Sequence, residues 1–80
     1  MPSVQIRKIA DLGAIVKAVR ETGGTRQEDL ATSLGFSRDY LRELESGKPT
    51  LFTTRLFRTL RRLGITISVT YQIPCRGDRG

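Results

Sequence analysis

The chain has no histidine, one cysteine (Cys75) and few aromatic residues, two Tyr and three Phe in 80 residues. Each scarcity excludes a class of chemistry. A lone cysteine closes no internal disulfide, and without histidine or a second thiol the usual zinc-ligand spacings have nothing to offer a metal. General acid–base and nucleophilic catalysis usually draw on a histidine, paired carboxylates in a cleft, or an activated Ser or Cys, and none is recognisable. So small a domain also has little room for a substrate pocket of ~300 Å³ or more. The expectation is a binding protein rather than an enzyme, with no cofactor and no metal. Most of the aromatics are needed for the core, which leaves few platforms for stacking unpaired RNA bases. No apolar run approaches the roughly 18 to 20 residues that cross a bilayer, and the opening MPSVQIRK lacks the apolar stretch of a secretion signal. A cytoplasmic, nucleoid-associated protein with no membrane partner is expected.

Positive charge is what the chain has in excess. A formal net charge of +6 and a pI near 10.5 in 9.0 kDa predict attraction to a polyanion, with nucleic acid ahead of an anionic membrane. Eighty residues make one domain, and a chain of this size buries only about 60 to 65% of its unfolded surface. A partner subunit would therefore help it.

Periodicity sets the elements. Leu12, Ile15, Val16 and Val19 fall at i, i+3, i+4 and i+7, one face of a helix from Asp11 to Thr22 that Gly23-Gly24 ends. Thr25 and Glu28 then read as a capping box opening a second helix, with Leu30, Ala31 and Leu34 inward and Gly35 as its left-handed stop. Ser37 caps a third helix from Arg38 to Ser46, with Phe36 placed to staple against Leu41, and Gly47 and Pro49 end it. Leu56, Phe57, Leu60 and Leu63 mark a fourth helix from Thr53, closed by Gly64, with Arg55, Arg58, Arg61 and Arg62 on its outer face. The period then changes to alternation in ITISVTY, a half-buried strand carrying Ile65, Ile67, Val69 and Tyr71. A lone strand leaves its backbone groups unpaired, so it needs either Val4 to Arg7 or the same segment of another subunit. The segments are thus an N-terminal arm (1–10), a helical domain (11–64), a dimerisation strand (65–73) and a disordered tail (74–80).

Two helices of eight or nine residues joined by a short turn with glycine form a helix-turn-helix, whose second helix lies in the DNA major groove. At about 100° per residue, Tyr40, Leu41 and Leu44 face inward, while Arg38, Asp39, Arg42 and Ser46 face outward. Arg38 and Arg42 can each offer a fork to guanine O6 and N7, and Asp39 can accept from a cytosine amino group or orient Arg42. A solvated charge mosaic at i, i+3 and i, i+4 is the plainer alternative for the same residues. Arg26 and Gln27 sit at the positive end of the second helix, and Lys48 follows the third, where phosphate contacts are common. Arg20 and Glu45 project beside the core from different helices and are expected to form a structural ion pair.

The run Q27-x-x-L30-A31-x-x-L34-G35-F36-S37-x-x-x-L41-x-x-L44-E45-x-G47-K48 resembles the Xre-like, phage-repressor type of helix-turn-helix. With ADLGAIVKAVRETGG ahead of it and ESGKPT and LFRTLRRLGITISV behind, residues 4 to 71 look like HipB-like antitoxins. That resemblance implies a mainly α fold, a four-helix bundle with one C-terminal β-strand pairing across a homodimer. It further implies a palindromic double-stranded operator, autoregulation, and a HipA-like serine/threonine kinase toxin as partner. Carried onto this chain, Gln27 matches a phosphate contact, Ser37, Arg38, Asp39 and Arg42 match the start and outer face of the recognition helix, and Arg20 with Glu45 match the structural pair. The chain departs from the pattern at Arg26, where threonine is usual, and at Thr53, where leucine is common. The alternatives are a stand-alone phage-repressor-like regulator, or a protein-interaction module that masks a toxin without specific DNA binding.

Overall fold

The computed structural model describes residues 3–72. Element order is β1 (Ser3–Ile6), α1 (Ile9–Thr22), α2 (Gln27–Leu34), α3 (Arg38–Ser46), α4 (Leu51–Leu63) and β2 (Ile67–Thr70). The 74–80 tail and Cys75 lie outside the described residues. No helix among these is long and apolar enough to cross a membrane.

Within the expected 1–10 arm, Ser3–Ile6 form β1 and α1 starts at Ile9. β1 pairs with β2 antiparallel, with Val4 opposite Val69 and Ile6 opposite Ile67. The lone-strand problem is thereby solved within one chain, and the pairing expected across a dimer is not the one β2 makes here. A side-chain period of two puts Val4, Ile6, Ile67 and Val69 on one face of the ribbon, and Ile6 on that face is buried. β2 is shorter than the segment 65–73. Ile65 is spent on ending α4, its N–H donating to Leu60 O at 2.9 Å, and Tyr71 lies just past the strand.

Helix limits shift where a cap was misread. α1 begins at Ile9 because Lys8 is extended and Asp11 reaches back to accept the Arg7 N–H at 2.8 Å. The Thr25 and Glu28 capping box does not form: α2 opens after Arg26 with no side-chain cap. Thr25 is held by its backbone instead, its N–H donating to Arg20 O and its carbonyl accepting from Arg20 Nη1. α4 begins two residues before the expected Thr53, since Thr50 and Thr53 make a reciprocal capping box: Thr50 Oγ1 accepts from the Thr53 N–H at 3.1 Å and Thr53 Oγ1 from the Thr50 N–H at 2.9 Å. Thr53, one of the two departures from the family pattern, thus supplies half of the box that opens α4.

Among the described residues the buried apolar core is small: Ile6, Ala31, Leu41 and Phe57. Ala31 and Leu41 let α2 and α3 approach, and α3 packs on α1. Gly13 makes that last contact possible, since a Cβ there would meet Leu44 O at 2.5 Å and Glu45 O at 2.8 Å. Leu34, expected inward, is 52% exposed at the end of its eight-residue helix. Tyr40, also expected inward, is 55% exposed because Leu41, Leu44 and Glu45 take the inner face at i, i+3 and i+4. Its ring meets Phe36 edge-on at 5.0 Å. Open apolar hollows are larger than so short a chain suggested: one of about 470 Å³ is lined by Leu12, Ile15, Val16, Val19 and Tyr71 among others.

In a helix interior, alanine is ordinarily better than glycine by about 1 kcal/mol. At Gly13 the order reverses: Gly13→Ala is expected to cost about 1 to 3 kcal/mol through overpacking against α3 backbone, read as a lower denaturation midpoint with unchanged m-value.

Candidate nucleic-acid interface

The turn between α2 and α3 is set by Gly35, whose φ of 78° places it in the left-handed region. Its N–H donates to Thr32 O, and the Phe36 N–H to Ala31 O at 2.8 Å, closing the helix end. Ser37 then caps α3, with Oγ accepting from the Tyr40 N–H at 3.1 Å. Accepting that bond leaves the Ser37 O–H free to donate outward. The result is a recognition-type helix of nine residues with strongly divided faces, apolar Leu41 buried and Arg38, Asp39 and Arg42 all exposed.

Behind this face lies a buried polar knot. Arg20 of α1 donates from Nε to Glu45 Oε2 at 2.5 Å and from Nη2 to Glu45 Oε1 at 3.0 Å. The Glu45 side chain is 2% exposed and that of Arg20 10%. Gln27 of α2 completes it, donating from Nε2 to Glu45 Oε1 at 3.0 Å. The hydrogen bonds from Arg20, then that from Gln27, hold the Glu45 carboxyl below the usual range against the opposing effect of burial, and Glu45 in turn raises the already high value of Arg20. The Gln27 amide expected at a phosphate is therefore turned inward, where it ties α2 to α3.

The outward arginines are each accompanied by a carboxylate. Arg42 Nη2 lies 2.6 Å from Asp39 Oδ1, Arg26 Nε 2.9 Å from Asp29 Oδ2, and Arg38 Nη1 3.8 Å from Glu28 Oε1. Spacing of three residues along one helix made the first two pairs readable in principle. The third joins α2 to α3 across the turn, and no spacing rule announces it. Lys48 is exposed directly after the left-handed Gly47 that ends α3. The strand residues Ile65, Ile67, Val69 and Tyr71 lie apart, around β2.

Residues 11–66 match the family model for a helix-turn-helix domain. The chain belongs to the helix-turn-helix domain family. It is 35% identical over 65 residues to an uncharacterized HTH-type transcriptional regulator, y4mF, of Sinorhizobium fredii, covering 81% of this chain and 86% of that one. It is also 34% identical over 62 residues to an ImmF control region 10 kDa protein of Bacillus phage phi105, covering 78% of this chain and 64% of that one. Solved structures give no significant match.

Removing one partner of the knot leaves a buried charge without compensation. Glu45→Ala is expected to lower stability by about 3 kcal/mol, a large share of what an 80-residue domain holds. Because the folded Glu45 value is depressed, its contribution is complete above the unfolded value of about 4.3 and is lost as pH falls through the lower folded value. The stability difference between wild type and Glu45→Gln, followed by urea unfolding, should be constant near neutrality and shrink below about pH 4.

Proposed function

We propose that the protein is a sequence-specific, double-stranded DNA-binding transcriptional repressor. The observation that carries this reading is the left-handed Gly35 turn, which presents α3 with Arg38, Asp39 and Arg42 exposed while Leu41 and Glu45 anchor it from behind. Arg38 and Arg42 read guanine edges, and Asp39 holds Arg42 at 2.6 Å in the unbound chain. Arg26, the Ser37 hydroxyl and Lys48 hold phosphates. Gln27 acts there through its position in the first turn of α2, since its amide serves Glu45. The names of both relatives, a transcriptional regulator and a phage control-region protein, support a regulatory role.

The active form is a homodimer on a palindromic operator. β1 occupies one edge of β2, and among the described residues no strand pairs with the other edge, whose N–H and C=O groups suit a second β2. The apolar hollow beside Val69 and Tyr71 favours such a partner. Resemblance to HipB-like antitoxins extends the reading to autoregulation and to a HipA-like kinase toxin as partner. A second reading, a module that masks a partner protein without specific DNA binding, draws on α4, where Leu51 and Phe52 are 66% and 74% exposed beside Arg55.

Footprinting on DNA upstream of the protein's own gene at two salt concentrations separates these readings. A protected palindrome with half-sites about one helical turn apart is expected for the dimeric repressor. Diffuse, salt-labile protection would favour the masking module. On the operator, Arg42→Ala should cost roughly 1 to 3 kcal/mol and relax choice at one base position, and a uniform loss over all sequences would assign Arg42 to phosphate.

A further inference from the structure

The charge of this chain is divided unevenly along it. From Thr25 to Ser46, the two helices of the motif and their turn carry three arginines against five carboxylates, a balance of −2 in a chain of +6. From Gly47 to Gln72 there are five basic residues, Lys48, Arg55, Arg58, Arg61 and Arg62, and no acidic one. All three arginines of the motif are paired: Arg26 with Asp29, Arg38 with Glu28, Arg42 with Asp39. Among the described residues, none of the α4 arginines is within ion-pair distance of a carboxylate. A surface meant only to attract a polyanion would not place a carboxylate beside every arginine of its reading helix.

We infer that Glu28, Asp29 and Asp39 are intramolecular competitors for the DNA, occupying the arginines of the reading face until a correct base edge or a correctly placed phosphate displaces them. This rests on the DNA-binding reading above and assigns to these carboxylates the setting of specificity. On random sequence, an arginine that leaves its carboxylate gains only a loose phosphate contact, and the carboxylate left behind repels the backbone. On the operator, a bidentate base contact replaces the pair with equal or better geometry. Attraction that does not discriminate then falls to Lys48 and the uncompensated arginines of α4, while the motif itself contributes little to non-specific affinity.

The test measures binding of the whole protein to a random-sequence duplex and to the upstream duplex, by fluorescence anisotropy over a salt series. Asp39→Asn, Glu28→Gln and Asp29→Asn are compared with Glu43→Gln, which removes the same charge from α3 at an exposed residue that pairs with no arginine among the described residues. Each of the three should tighten random-duplex binding roughly twofold to fivefold beyond Glu43→Gln, the range of an exposed ion pair. The slope of log K against log salt should steepen by up to about 0.9 for each arginine released. The ratio of upstream to random affinity should fall. In an Arg42→Gln background the extra gain of Asp39→Asn should vanish, which ties the effect to the pair and remains readable if a substitution in the first turn of α2 weakens that helix. Equal effects of Asp39→Asn and Glu43→Gln would overturn the inference while leaving DNA binding intact. Failure of the wild type to bind either duplex would overturn the DNA-binding reading itself.

Discussion

The orientation of the reading helix depends on one ionised group, Glu45. It sits in the last turn of α3 and receives Arg20 from α1 and Gln27 from α2, so a single carboxylate joins three helices. Arg20 extends the tie to the chain ahead of α2 through Thr25 O. An apolar core of this size leaves the angle between helices weakly determined, because hydrophobic contact is not directional. A bidentate arginine–carboxylate pair is directional. Burying such a pair gains little over an apolar alternative, so what it supplies is a defined arrangement, which a recognition helix needs above all.

The packing around that knot uses small residues where backbones meet. Gly13 admits the end of α3, Ala31 admits α3 against α2, and Gly47 lies against Ala10 in a left-handed conformation. Each has the same consequence for the interface, which is to bring α3 close enough to be held while its outer face stays clear. Apolar side chains left over collect elsewhere, at Leu51, Phe52 and Leu63 on α4 and Ile65 after it. Exposed apolar surface of that kind marks interaction sites in other proteins, and the domain itself is of marginal size.

Much of the local structure was legible. Ser37, Gly35, Gly47 and Gly64 mark helix ends because capping and left-handed geometry demand particular residue types within one turn. The exposed positions of Arg38, Asp39 and Arg42 follow from helical period once α3 is placed. Caps with competing candidates are the hardest to read: Thr25 satisfies the capping pattern, yet its backbone bonds to Arg20, and Thr53, where leucine is common, is half of a capping box. Tyr40 was assigned inward by angle alone, whereas Glu45 took the place an apolar residue would normally fill. Gln27 carried a helix-start signal that said nothing of a carboxylate eighteen residues away.

Sequence by itself determined the helical elements, the position of the turn, the basic excess and, among the described residues, the confinement of acidic residues to Asp11 through Glu45, because these depend on residue type and near neighbours. Tertiary structure decided which strand β2 pairs with, that Gln27 serves Glu45 instead of solvent, and that Arg38 finds Glu28 across the turn. Each of those joins residues far apart in the chain or on separate elements, and contacts of that kind are chosen by the packing of whole elements rather than by any periodicity a single segment can display.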